Sequence, residues 1–255
     1  MKIAELPWIA VRDALACGKP VAALLPCGAT EAHGPHLPLN TDVIISEGVA
    51  RRAAALLEGD GVRALILPAL AYAPAEYAAD FAGTISIGAT AAKAIILDIA
   101  RALKAQGFTC IGIANSHFDP ANVAMLREAA SEITALGLPV AFPDFTRRAL
   151  AATLTAEFVS GACHAGQFET SLVLADEPRL VNDTARALLA ENPASLTEAF
   201  AHGARTFTEA GGPEAYFGAP AAATAEEGEQ SFRIMAQALA ASVREAIAAR
   251  GAINQ

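Results

Sequence analysis

Short apolar runs alternate with longer helical patterns along this chain. Val21 to Pro26 is a continuous apolar run that predicts a buried strand, and a loop rich in Gly, Pro and His follows it. From Asp42 to Glu58 the spacing predicts a helix, with Ile44, Ile45, Val49, Ala53 and Leu56 on one side and Arg51 and Arg52 facing water. Gly59-Asp60-Gly61 stops it, and Arg63 to Leu67 reads as a second strand ended by Pro68. The loop that runs on to Thr84 is longer than a connection needs, which points to function. Thr90 to Gln106 is a helix with Thr90 as its N-cap and Gly107 as its stop. Phe108 to Ala114 is a third strand, Pro120 to Leu136 a helix with proline in its first turn, and Leu138 to Phe142 a fourth strand. Beyond Asp144 the pattern predicts helices near 144–152, over Phe168 to Ala175, and over Ala225 to Arg250. Strand–helix alternation predicts an α/β fold, a mostly parallel sheet with helices on both faces. No repeat or Ser/Gly linker divides the 255 residues, so a single domain over 1–255 is expected.

Composition narrows the function classes. The formal net charge is −9, from 18 Lys+Arg against 27 Asp+Glu, which argues against a nucleic-acid partner. The chain is 54% hydrophobic and 18% charged, too apolar for a disordered protein. No apolar run is long enough to span a bilayer, so no membrane partner is expected. The first residues are broken by Glu5, Pro7, Arg12 and Asp13 and do not read as a signal peptide. Cys17, Cys27, Cys110 and Cys163 form no CxxC pair and read as reduced, mostly buried thiols of a cytoplasmic protein.

The chemistry gathers in three segments. Glu31-Ala32-His33-Gly34-Pro35-His36 with Asp42 follows the first strand, Asn115-Ser116-His117-Phe118-Asp119 follows the third, and His164-Ala165-Gly166-Gln167-Phe168-Glu169 comes later. Four of the five histidines lie there, each segment also holding an acid, while His202 has no neighbour of interest. In open α/β sheets, working residues sit on loops past the C-terminal strand ends. In extended backbone, residues i and i+2 project to one side, so Glu31/His33 and His117/Asp119 can each present two ligands to one place. Imidazole with carboxylate suits Zn, Mn or Fe, and two pairs converging on Asp42 would hold two such ions with a shared carboxylate. A hydroxide between two divalent ions is a strong nucleophile at neutral pH. Each residue also has a structural reading. His36 can cap a turn, Asp42 and Asp119 can start helices, and Glu169 can be a first-turn acid facing the helix dipole.

The run Thr30 to Leu39 with Thr41-Asp42 is similar to the signature of the creatininase family of metal-dependent amidohydrolases. The similarity continues at Phe81 to Ser86, at Asn115-Ser116-His117, and at His164-Ala165-Gly166 with Glu169-Thr170-Ser171, covering roughly residues 5 to 176. The resemblance implies a three-layer α/β/α domain and two divalent metal ions per subunit. Glu31, Asp42 and His117 would hold one ion, and His33 with the shared Asp42 the other. Its remaining ligand would be Asp119, ranked first, or Glu169, with both open to involvement. His164 would be the catalytic proton shuttle. The resemblance also implies a homo-oligomer, commonly a hexamer built from dimers.

The expected function is therefore a dinuclear amidohydrolase cleaving a C–N amide bond of a small molecule: a cyclic amide, lactam or formamide. The alternative is a peptidase acting on a small modified peptide in cofactor maturation, or a non-catalytic metal-stabilised binding or assembly protein. Creatininase itself carries Trp residues around its flat substrate, whereas Thr153 to Cys163 holds none and the chain's one Trp is Trp8. That departure argues against creatinine. Loops 69–83 and 153–163 are expected to supply specificity, with Tyr72, Glu76, Tyr77 and Phe118 as candidate substrate contacts.

Overall fold

The computed structural model describes residues 1–253, and side chains up to 250. The last two residues of the expected 1–255 domain lie outside the described residues. Four strands appear: β1 (Val21–Cys27), β2 (Arg63–Ile66), β3 (Cys110–Asn115) and β4 (Val140–Ala141). The helices are α1 (Trp8–Leu15), α2 (Thr41–Gly59), α3 (Ala89–Gln106), α4 (Pro120–Ala135), α5 (Arg148–Ala151), α6 (Ala156–Ser160), α7 (Gln167–Asp176), α8 (Asp183–Arg186), α9 (Leu196–Ala201) and α10 (Ala225–Ile253).

The strands make one parallel sheet in the order β2-β1-β3-β4. β1 is central and buried along its whole length, which is why its sequence is a continuous apolar run and not an alternating one. Its side chains still alternate between two cores. Ala22 and Leu24 pack with residues of α2, α7 and α10, while Val21, Ala23 and Leu25 pack with residues of α3 and α4. The sheet is thus the middle of three layers. From β1 the chain crosses to β2 on one side and later to β3 on the other, so the sheet's switch point lies between β1 and β3. Their last paired residues are Cys27 and Asn115. Just beyond, Ser116 donates its backbone N–H to the Cys27 carbonyl at 3.2 Å.

Several expected boundaries move. The third helix starts at Ala89 with Gly88 as N-cap, so Thr90 falls inside the first turn, where its side chain cannot cap. The helix expected near 144–152 shrinks to the single turn of α5, because Asp144 binds the Thr146 N–H and hydroxyl and organises a turn there. In α2 the row Ile45, Val49, Ala53 continues at Leu57, which is buried, and Leu56 is exposed. Arg51 and Arg52 are half-buried and pair with Asp176 of α7; Arg52 also pairs with Glu229 of α10. Helices α1, α6, α8 and α9 are too short or too weakly patterned to have been anticipated. Cys27 and Cys110 are buried, Cys163 is half-buried, Cys17 is exposed, and all four are free thiols.

Candidate metal centre

Three carboxylates converge beyond the β1 and β3 ends. Glu31 leaves β1, Asp42 sits in the first turn of α2, and Glu169 in the first turn of α7. All are buried, and among the described residues no Lys or Arg pairs with any of them. Gly28 lets Asp42 approach, since a Cβ there would lie 2.7 Å from the Asp42 carbonyl carbon. The Ser116 hydroxyl donates to the Asp42 backbone carbonyl at 2.6 Å and fixes this turn from the β3 side.

The histidines complete two overlapping groups, Glu31–Asp42–His117 and His33–Asp42–Glu169, and His164 joins Glu31 and His33 in a third. His117 Nδ1 lies 3.0 Å from Glu31 Oε2 and 3.1 Å from Asp42 Oδ2. His33 Nε2 lies 3.4 Å from Asp42 Oδ1 and 3.5 Å from Glu169 Oε2. Asp42 therefore turns one oxygen to each group.

Backbone carbonyls set the tautomers. His33 Nδ1 donates to the Glu31 carbonyl (3.0 Å), His117 Nε2 to the Pro74 carbonyl (2.6 Å) and His164 Nε2 to the Ala32 carbonyl (2.9 Å). Each neutral ring then carries its lone pair on the other nitrogen, and for His33 and His117 that nitrogen faces carboxylate oxygens. Two acceptors facing a lone pair need a cation between them. Glu31 Oε2, Asp42 Oδ2 and His33 Nε2 accordingly have no hydrogen-bond partner. The donor set fits two divalent ions sharing Asp42, with carbonyl-oriented imidazoles as ligands.

Electrostatics point the same way. Burial works against charge on His33, but Asp42, then Glu169 and Glu31, outweigh it and push its pKa up to about 10. His117 is raised well above its ordinary value against the same burial, chiefly by Glu31 and Asp42. Burial pushes Glu169 up to about 8. The cluster draws positive charge. His164 behaves oppositely: burial, reinforced by His33, lowers it to about 4, so its imidazole is neutral at pH 7. Its ring lies 4.3 Å from that of His33 and 4.3 Å from that of Phe207.

The other expected residues take different places. Asp119 N-caps α4, accepting from the N–H groups of Ala121 (2.7 Å) and Asn122 (3.4 Å), and its Oδ2 is buried without a partner. It joins neither of the two Asp42-centred groups. His36 ties the first loop to α7 through Thr170 at 2.8 Å. Phe118 packs edge-on against Phe158, Glu76 accepts from Ser86 at 2.7 Å, and Tyr72 is exposed. Tyr77 stacks on Phe200 with centroids 3.8 Å apart. Sequence reasoning missed Phe207 and Glu157, whose contacts to this region come from distant, weakly patterned segments.

Comparison with known proteins agrees with this geometry. A family described as creatininase, creatinine amidohydrolase, matches residues 4–243. A mycofactocin precursor peptide peptidase of Mycobacterium ulcerans (strain Agy99) is 33% identical over 216 residues, covering 83% of this chain and 80% of that one. A creatinine amidohydrolase of Pseudomonas putida is 30% identical over 196 residues, covering 71% and 73%. A solved creatininase variant of zinc–zinc type superimposes with a TM-score of 0.74 at 26% identity, covering 95% and 96%. With a match spanning nearly the whole chain and this donor set at the sheet's switch point, the chain belongs to the creatininase family.

Proposed function

We propose that this protein is a dinuclear metal-dependent peptidase that hydrolyses a C–N amide bond in a small precursor peptide. The observation that carries the reading is the 33% identity to a precursor peptide peptidase over four-fifths of both chains, joined to an intact buried donor set. The small-molecule reading rests on the more limited similarity to creatinine amidohydrolase. Creatinine itself is disfavoured because Thr153 to Cys163 places Phe158 in the core and offers no Trp.

In this proposal Glu31, Asp42 and His117 hold one ion, and His33, Asp42 and Glu169 the other. Glu169 is preferred to Asp119 because it lies beside His33, whereas Asp119 is engaged in capping α4. When bound, two divalent ions polarise the scissile carbonyl and make water acidic near neutral pH. Zinc is supported by the zinc–zinc relative, and Mn or Fe suit the same ligands. The Ala32 carbonyl holds the Nε2 proton of His164, so its Nδ1 accepts a proton from water and returns it to the leaving amine. Burial keeps that nitrogen unprotonated at pH 7. Loops 69–83 and 153–163 are the proposed specificity segments, with Tyr72, Glu76 and Phe118 as substrate contacts. A homo-oligomer, testable by light scattering, completes the proposal.

The test offers zinc- or manganese-loaded protein a panel of synthetic peptides, creatinine, lactams and formamides, read by mass spectrometry. Peptide cleavage with no creatinine turnover is expected. Turnover of small amides alone would replace the peptidase reading with the amidohydrolase one.

A further inference from the structure

His164 stands in a turn that its own backbone does not favour. Ala165 has φ of 51°, in the left-handed region where a Cβ is strained, so the surroundings must hold the turn. The Phe217 N–H donates to the His164 carbonyl at 2.7 Å. The Ala165 N–H donates to Glu169 Oε2 at 2.7 Å. One side chain ties both flanks of this turn together: Glu157, on α6. Its Oε1 accepts from the Phe168 N–H at 2.8 Å, and its Oε2 from the N–H groups of Gln167 at 2.9 Å and Ala219 at 2.7 Å. Gln167 and Phe168 open α7 immediately after the turn, and Ala219 lies two residues past Phe217.

Two glycines let this carboxylate approach the backbone so closely. A Cβ on Gly166 would lie 2.5 Å from Glu157 Oε1, and one on Gly218 would lie 2.2 Å from Oε2. Gly218 also pairs with Asn192, and its neighbour Phe217 packs edge-on against Phe207, whose ring lies on that of His164. A helix N-terminus normally finds its acceptor in its own N-cap side chain, but Gly166 has none. Glu157 supplies it from another helix and uses the same group to hold the segment behind His164.

We propose that Glu157 is a positioning residue: by bridging the α7 N-terminus to Ala219 it fixes the His164–Ala165–Gly166 turn, and with it the aim of the His164 imidazole. This rests on His164 being the proton shuttle of the proposed reaction. Both Glu157 oxygens accept from N–H groups, so an isosteric amide must set its NH2 against at least one donor. Glu157→Gln therefore loses either the Phe168 bond or the Gln167 and Ala219 bonds, and sets an N–H against a donor there, without changing the volume.

The experiment records 15N-histidine spectra of Glu157→Gln with and without zinc, with His164 assigned through His164→Gln. Thr155→Ala serves as a stability control, because it removes the α6 N-cap and leaves the carboxylate in place. In Glu157→Gln the His164 ring signals should shift and its Nε2–H exchange faster. In Thr155→Ala they should stay. On a cleaved peptide, kcat should fall about 10- to 100-fold with KM within about twofold and two metals retained. A Glu157→Gln protein that is less heat-stable but keeps the wild-type His164 spectrum overturns the proposal, leaving a simple helix cap. The spectra need no turnover, so a wild type that cleaves no peptide sinks the peptidase reading and leaves this one decided. If Glu157→Gln does not fold, Glu157→Asp keeps both acceptors, draws them back by one methylene, and should move the same signals less.

Discussion

The two halves of the cluster are built by different means. Glu31 and His117 leave the paired ends of β1 and β3, and Asp42 is pressed against β1 at Gly28, so this half inherits its geometry from the backbone of a parallel sheet. Glu169 in the first turn of α7 and His164 just before it follow no strand end, and they depend on Glu157, on the Phe217 N–H and on a strained Ala165. The sheet half is set by ladder hydrogen bonds that the fold makes anyway. The α7 half is set by a few long-range bonds that cap the helix and, in our proposal, aim two side chains. Preorganisation comes with the fold in one half and needs dedicated side chains in the other.

The sharpest break of this contrast is at the residue common to both halves. Asp42→Ala removes an oxygen from each group, so both ions should be lost and hydrolysis should fall by roughly 10³-fold or more. Metal analysis beside a peptide assay reads both, and full metal with full activity would end the dinuclear proposal. Glu31→Gln and Glu169→Gln separate the halves. Each should lower the metal content toward one ion, and Glu169→Gln should also loosen the Ala165 turn.

His164→Ala comes next in size. It takes away the proposed proton carrier and no ligand of the two Asp42-centred groups, so kcat should drop about 10²- to 10⁴-fold with both ions still bound. Loss of metal in this variant would move His164 from shuttle to ligand.

Removing the metals tests the electrostatics of both halves at once. In the metal-free protein His33 titrates near 10 against an ordinary 6.5, and Glu169 near 8 against 4.5. Both groups hold protons more tightly folded than unfolded. The His33 contribution is complete below pH 6.5 and is lost as pH rises through about 10, while Glu169 loses stability between 4.5 and 8. Below pH 6.5 the Glu169 loss is opposed by His164 and His36, whose lowered pKa values add stability as pH rises from about 4, so the metal-free protein should melt at progressively lower temperature from about pH 6.5 upward. Zinc replaces those protons, so the loaded protein should be stabilised by about 3 kcal/mol per bound ion at a hundredfold excess over Kd, melt higher, and show a flatter alkaline limb. Melting curves with and without chelator across that range give the answer.

How much of this was legible in the sequence divides along the same line. The sheet half stands out because its residues lie within short segments directly after apolar runs, where i, i+2 spacing and strand ends can be read together. His164 and Glu169 were visible as a segment, but their supports were not. Phe207, Phe217 and Ala219 act through ring packing and backbone N–H groups, which leave no residue-type signal, and Glu157 is one acid in a weakly patterned stretch. Asp119 shows the converse difficulty. A carboxylate two residues after a histidine and just before a proline is equally a ligand and a helix start, and only coordinates show the N–H groups of Ala121 and Asn122 on its Oδ1.

That ambiguity leaves the smallest and most discriminating prediction. If Asp119 serves α4 and not an ion, Asp119→Ala should cost about 1 kcal/mol of stability, the usual loss of an N-cap, with two ions retained. Asp119→Asn can keep the capping oxygen and should cost less. The free Oδ2 gives the alternative its own signature, since a ligand role predicts that both variants lose metal together whatever their melting temperatures. Equal stability loss with unequal metal content in the two variants would mean that capping and ligation are shared. The second half of the cluster would then also take an anchor from the β3 loop, and the contrast between the halves would narrow to the His164 turn alone.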